Sequence, residues 1–433
     1  MADGVAARSV ETSLAAVARD NDRLRAINHL DPADPRRRAS SVDDSKSARP
    51  LLGLTFVAKD LIDVAGLPST CGSKLFDATV ATEDAHCIRA LEASGAVVIG
   101  KANMHELAVG GARNPWFGQV INPLSAEHGT GGTSSGSVAA VAAGFCDFAL
   151  GTDSGGSNRS TAAATGLFGF KPTNGALSVD GIAPLAPSLD TVGLLARDGS
   201  VLAKAFAALT GQKPAAAKPT LAGKVFARPI ALHGPVDPAV QAALQRAADA
   251  IRSAGGKIVD IDFGDAAGLA QAGRDILRHE FSCHYRQVIA SRSDRVGKDV
   301  QAFLAAAAEV SAAQYEDAIA TVEDHRGRWH EQLLTVDAML SPATPGLAPR
   351  LSDEHTKVGD RWVPYGASGA EFRMWANTIG IPAVAVPVAR SGGLPASVQI
   401  AARRNADGLL IDLSAALGRE IQKQRAATDR EAI

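Results

Sequence analysis

Residues 129–171 read GTGGTSSGSVAAVAAGFCDFALGTDSGGSNRSTAAATGLFGFK, and the fold turns on how this stretch divides. Two glycine- and hydroxyl-rich runs, 129–137 and 151–157, bracket a segment of very small residues. The 138–143 segment predicts a helix, 145–150 a strand and 161–164 a second small-residue helix. Flexible Gly/Ser linkers do not alternate with buried elements in this way. Small residues permit close backbone approach, so the stretch is expected at the centre of the body. The tight turn Ser154-Gly155-Gly156-Ser157 leaves several N–H groups pointing one way. Such a nest stabilises negative charge, as an acyl-transfer oxyanion requires, and losing one donor costs about 3 kcal/mol of barrier. Ser157 ends the turn just before a helix, where its hydroxyl can attack a carbonyl held in the nest.

Serine is a poor nucleophile until a base takes its proton. Upstream, 53–58 is a short β-type run that ends at Lys59. Its neighbours Val57, Ala58, Leu61 and Ile62 predict a lysine emerging from a buried strand. Desolvation disfavours an ammonium and lowers its pKa. A neutral lysine then accepts a proton directly or through an intervening hydroxyl, and Thr133-Ser134-Ser135 offers such hydroxyls.

Working outward, 84–94 predicts a helix closed by Gly95 and 96–99 a second buried strand. Strand, helix and strand at this spacing indicate a parallel, helix-covered sheet. Val10, Leu14, Val17, Ala18 and Leu24 give 9–30 the period of an amphipathic helix. Residues 31–50, rich in Pro, Asp, Ser and Arg, predict an exposed connection. Its Arg36-Arg37-Arg38 run, with Asp43 and Asp44 behind it, predicts a solvated loop. Further elements are expected at 237–254 (helix), 259–262 (strand), 338–340 and 383–386 (buried strands) and 409–422 (helix). Between them 266–334 predicts a peripheral helical layer. With no repeat and no clear linker, 1–433 is expected to be one domain, 1–50 forming a helical extension and exposed connection.

Composition excludes several classes. A 46% apolar content supports a large core, and a net charge of −2 argues against an electrostatic nucleic-acid binder. Cys71, Cys87, Cys146 and Cys283 lack CxxC spacing, which suits buried small hydrophobes in a reducing cytoplasm. The N-terminus has no secretory pattern, and no window approaches the roughly 18 apolar residues of a membrane helix. A soluble, cytoplasmic protein is expected, with no membrane or nucleic-acid partner.

Gly132-Thr133-Ser134-Ser135-Gly136 also fits GxSxG, with Ser134 as nucleophile, but that elbow needs a strand directly before it. His279-Glu280-Phe281-Ser282-Cys283-His284 spaces its histidines five apart, which on a helix points them to different faces. No Gly-Lys pair continues into the Ser or Thr of a phosphate loop.

The blocks 131–137, 151–159 and 169–173 together resemble the amidase signature family. Ala58-Lys59-Asp60, Gly100-Lys101-Ala102-Asn103-Met104 with Glu106, Ser341-Pro342-Ala343-Thr344-Pro345, Gly380-Ile381-Pro382-Ala383, Gly393-Leu394-Pro395 and Val398-Gln399-Ile400 match other stretches of it, so the resemblance covers nearly the whole chain. It implies a single α/β/α domain with a large mixed twisted sheet covered by helices. It also implies a Lys, cis-Ser, Ser triad acting on a small carboxamide without metal or organic cofactor. Lys59 matches the base, Ser157 the acyl-forming nucleophile, and the N–H groups of Ser154, Gly155 and Gly156 the oxyanion hole. The bridging serine of the family falls 24 positions before the nucleophile, here on Thr133. Threonine keeps the hydroxyl, but its methyl restricts the rotamers. The family's bond before this residue is cis, a geometry costing about 3 kcal/mol. Ser134 is the nearest substitute relay. Asn158, Ser160 and Thr161 also depart from the pattern, which bears on the pocket floor or the helix start. Arg159 matches a family arginine with a structural role or a substrate-carboxylate contact. Two alternatives follow: a degenerate binding or scaffold protein, and a transamidase component that needs a partner. A homodimer is a fair expectation for a cytosolic enzyme.

Overall fold

The computed structural model describes residues 4–44, 49–212, 219–230 and 232–431. In chain order the strands are β1 (Ile27–His29), β2 (Thr55–Lys59), β3 (Val97–Ala102), β4 (Phe148–Thr152), β5 (Phe168–Lys171), β6 (Val192–Ala196), β7 (Val225–Pro229), β8 (Lys257–Ile261), β9 (Ala338–Pro342), β10 (His355–Val358), β11 (Arg361–Pro364), β12 (Ala383–Ser391) and β13 (Leu394–Ala401). Eleven of them form one sheet in the order β1-β3-β2-β4-β6-β5-β12-β13-β9-β7-β8, and β10 with β11 makes a separate hairpin. The sheet is mixed: β2 is parallel to β3 and β4, whereas β4 is antiparallel to β6.

The helices are α1 (Val5–Leu24), α2 (Ala33–Asp43), α3 (His86–Ala93), α4 (Ser135–Ala143), α5 (Ser157–Thr165), α6 (Gly199–Thr210), α7 (Pro238–Ser253), α8 (Ala266–Ser291), α9 (Lys298–Ala308), α10 (Ala312–Leu334), α11 (Tyr365–Thr378) and α12 (Asp407–Glu431). They cover both faces of the sheet, so the central strands are buried at every position rather than at every second one. Phe56, Phe148, Leu150 and Leu194 pack with residues of α3, α6, α7 and α12. Their neighbours Val57, Ala149 and Leu195 pack on the opposite face with α1, α4 and α5. Ala227, Met339 and Ala383 continue that packing with α8, α10 and α11. The two small-residue helices thus lie against the middle of the sheet, as their composition predicts. Among the described residues no helix is long and apolar enough to cross a membrane, and no group of His, Cys, Asp and Glu could hold a metal ion.

Three expectations are corrected. The stretch expected to be an exposed connection holds α2, whose prolines fall before and within its first turn, where the missing N–H costs little. The basic run lies on this helix: Arg36 and Arg37 are exposed, but Arg38 is only 12% exposed and pairs with Asp34, Asp84 and Glu92. Two of those acids arrive from outside the local sequence, so composition alone reads the run as solvated. Finally, Cys71, Cys87 and Cys146 are buried free thiols, whereas Cys283 on α8 is exposed.

Gly136, in the first turn of α4, shows why this helix must start on small residues. A Cβ there would lie 2.3 Å from Ala26 O, 2.4 Å from Asn103 O and 2.5 Å from Asn103 N, all of them backbone atoms. Gly136→Ala is expected to cost about 3 kcal/mol or more, read as a lower urea midpoint at unchanged m-value.

Candidate active site

Two adjacent parallel strands end together. β2 delivers Lys59 at its last position, and β4 runs on through Thr152 into the turn before Ser157. The loop ahead of α4 brings Thr133 and Ser134 to the same point. Lys59 Nζ is 2.9 Å from Thr133 Oγ1, 3.1 Å from Ser134 Oγ and 3.0 Å from Thr152 Oγ1. Thr133 Oγ1 lies 2.7 Å from Ser157 Oγ. An unbroken hydrogen-bonded path therefore runs from Ser157 through Thr133 to Lys59. Thr133 and Ser157 retain some exposure, while Lys59 is fully buried.

Burial pulls the Lys59 pKa down to about 7, against the opposing pull of Asp153 and Asp190. Near neutrality the amine then exists in both protonation states, as a proton acceptor requires. Ser134 sits on the other side of Lys59. It bonds Asn158 Oδ1 at 3.0 Å and Thr152 O at 3.3 Å, and it is fully buried. It orients the amine without touching Ser157, which also removes the GxSxG arrangement. The Gly132–Thr133 peptide is trans, as is every peptide bond among the described residues. The cis bond implied by the resemblance is therefore absent, and a trans backbone already brings the Thr133 hydroxyl within reach of both partners.

Ser157 is the first residue of α5, and its N-cap, Gly156, has φ of 110°, which a side chain rarely tolerates. The turn is held from beneath by Asp153. Its carboxylate accepts from Gly156 N at 2.8 Å, Arg159 Nη2 at 3.0 Å, Arg159 Nε at 3.1 Å and Asn377 Nδ2 at 2.8 Å. Burial alone would raise its pKa, but the Arg159 ion pair and these hydrogen bonds hold it well below the usual carboxylate range. Of the three expected oxyanion donors, Gly156 N–H is thus occupied, while those of Ser154 and Gly155 have no partner among the described residues. The Ser154 hydroxyl is fixed by Asp190, whose own carboxylate also accepts from Leu185 N and Ala186 N.

Arg159 is fully buried and donates to Asp153, Asn377, Gln399 and Arg373 O. It is a structural residue, out of reach of a substrate. Asn158 is also fully buried, so it does not form the pocket floor. Ser160 and Thr161 bond back to Gly156 O and Ser157 O and shape the helix start instead. Sequence reasoning missed Thr152, Asn377 and Gln399. Thr152 and Gln399 lie within recognisable stretches of the sequence, whereas Asn377 carries no local signal. A cleft of about 510 Å³ opens beside Thr133, lined by Gly131, Gly132, His105, Tyr365 and Gly366. An apolar cavity of about 320 Å³ adjoins Ser154 and Asp190.

Comparison with known proteins bears on the family and the fold. The Amidase family model matches residues 8–411. The chain is 31% identical to a glutamyl-tRNA(Gln) amidotransferase subunit of Symbiobacterium thermophilum, over 90% of this chain and 86% of that one. It is 29% identical to the indoleacetamide hydrolase of Pseudomonas savastanoi, over 87% and 85%. Among solved structures, an amidase superposes with a TM-score of 0.89 at 28% identity, covering 95% of each chain. The peptide amidase of Stenotrophomonas maltophilia superposes at 0.80 and 26%, covering 96% and 94%.

Two stability outcomes follow. Below pH 7 Lys59 is protonated in both folded and unfolded chains, and the fold bears the whole cost of the buried charge. Above about 7 the folded lysine sheds its proton, while the unfolded one keeps it until 10.5, so this contribution to stability rises with pH across that window. Lys59→Met is expected to be more stable than the parent at about pH 6, with the gap narrowing by about pH 9 in urea titrations. Arg159→Met strands the Asp153 charge and is expected to cost about 3–5 kcal/mol by the same assay.

Proposed function

The chain belongs to the amidase family and is an amide hydrolase, and we propose that it cleaves a small carboxamide through an acyl-enzyme on Ser157. The observation that carries this reading is the continuous path from Ser157 Oγ through Thr133 Oγ1 to Lys59 Nζ, with steps of 2.7 and 2.9 Å. Neutral Lys59 takes the Thr133 proton as Thr133 takes that of Ser157, and Ser157 Oγ attacks the carbonyl carbon. Negative charge then develops on the carbonyl oxygen beside the N–H groups of Ser154 and Gly155, fixed donors that need no reorganisation. Collapse breaks the C–N bond, and the same relay, run backwards, protonates the departing amine. Water deprotonated along the relay hydrolyses the ester and restores Ser157. Threonine serves because the relay asks only for a hydroxyl that donates to one neighbour while accepting from the other.

A second reading, a component that supplies ammonia to a partner protein, is supported by the likeness to the amidotransferase chain. Release of free ammonia by the isolated chain separates the two readings.

Assayed by ammonia release over a panel of carboxamides, Ser157→Ala and Lys59→Ala are expected to be inactive. Thr133→Ser is expected to stay within about tenfold of the parent, and Thr133→Val to fall by about a hundred- to ten-thousand-fold. The parent kcat/KM is expected to rise with pH through about 7 as Lys59 loses its proton. An active Thr133→Val would remove the relay from the scheme. A parent that is silent while Thr133→Ser is active would favour a binding role for the native chain.

A further inference from the structure

Helix α11 opens Tyr365-Gly366-Ala367-Ser368-Gly369-Ala370-Glu371-Phe372-Arg373. Gly366, Gly369, Ala370 and Arg373 recur at helical spacing and share one face, so nothing larger than a methyl group precedes the arginine there. Arg373 is only 4% exposed. Its Nη1 donates to Ala343 O at 3.2 Å, its Nε is buried without a partner, and its guanidinium carbon lies 5.9 Å from the centre of the Tyr365 ring. No carboxylate among the described residues lies within ion-pair distance of it, and Asp153, whose charge it feels, is committed to Arg159 and Asn377. Burying a cation without a counter-charge is costly, and burial lowers the Arg373 pKa to about 10. The neighbouring Arg159 shows how this fold treats a purely structural arginine, with an acid and two amide oxygens around it.

The position of Arg373 is as telling as its lack of partners. A Cβ on Gly156, the residue before Ser157, would lie 2.5 Å from Arg373 Nε. A Cβ on Gly131 would lie 2.9 Å from the Tyr365 ring, and Tyr365 and Gly366 line the cleft beside Thr133. The Arg373–Tyr365 pair therefore backs both turns that present the reacting hydroxyls.

We propose that Arg373 receives a carboxylate of the substrate, so that the amides cleaved at Ser157 are monoamides of short dicarboxylic acids. The guanidinium fork offers a carboxylate two parallel N–H donors, the strongest geometry available to such a pair. The chain must be short because Gly156, against which Arg373 rests, is adjacent to Ser157. This inference rests on the Ser157 chemistry proposed above.

The test compares succinamate with butyramide on the parent, Arg373→Met and Arg373→Lys, together with thermal unfolding in succinate. The parent kcat/KM is expected to favour succinamate by about ten- to a hundred-fold, the range a charge-assisted pair supplies. Arg373→Met is expected to lose that preference, mainly through KM, and Arg373→Lys to keep part of it. Succinate is expected to raise the melting temperature of the parent and of Ser157→Ala but not that of Arg373→Met. Without ligand, Arg373→Met is expected to melt higher than the parent, because it removes an uncompensated charge; a structural arginine would give the reverse. Equal loss on both amides, a retained preference, a lower melting temperature or failure to fold in Arg373→Met, or no response of the parent to succinate would each overturn the inference. If neither amide is cleaved but succinate still stabilises Ser157→Ala in an Arg373-dependent way, the Ser157 chemistry fails and the carboxylate site stands.

Discussion

The buried ion pair between Asp153 and Arg159 is the constraint on which the rest of the centre depends. Both side chains are fully buried, so neither charge has solvent to fall back on, and each must be met by protein dipoles. Asp153 meets this need by drawing in the N–H of Gly156 and the amide of Asn377. Arg159 meets it with Gln399, Asn377 and a backbone carbonyl of α11. The consequence is mechanical: the turn ahead of Ser157 is tied at once to α5, α11 and β13. Breaking such a pair is far more costly than its net contribution suggests, because it leaves one charge stranded. The nucleophile is therefore positioned by a network that never touches it.

Above this network lies a second buried charge with the opposite design. Lys59 has no acid in contact and is met by three hydroxyl oxygens, from Thr133, Ser134 and Thr152. Hydroxyls stabilise an ammonium less than carboxylates do and can also donate to a neutral amine. The two sites illustrate one rule with two outcomes. A buried charge given a full counter-charge becomes rigid and inert, and one given only neutral dipoles becomes titratable.

Much of this was legible in the sequence because the reacting side chains sit in short local patterns. The run ending at Lys59, the small-residue segments that became α4 and α5, and the glycine turn before Ser157 each carried their own signal. Thr133 was singled out by the family resemblance, which implies a bridging hydroxyl 24 positions before the nucleophile, and the structure joins the two side chains. What escaped reading depends on contacts between distant residues. Asn377 and Gln399 reach Arg159 across 218 and 240 positions; nothing near Asn377 marks it, and the stretch around Gln399 does not show which partner it meets. The same applies to α2, whose polar composition resembles a loop until Asp84 and Glu92 are brought against Arg38. The trans peptide before Thr133 departs from the resemblance for a third reason: backbone geometry at one bond is set by its surroundings rather than by residue type.

The cysteines carry a practical consequence. Three thiols are buried, and burial pushes the pKa of Cys71 and of Cys87 up to about 12, which keeps them in the unreactive protonated form. Cys283 alone is exposed, one residue from His284, which lines the apolar cavity next to Ser154. The native chain thus carries one addressable point for a maleimide dye, without any substitution. A fluorophore attached there would sit on the exposed side of α8, one residue along the helix from the side chain that lines the cavity.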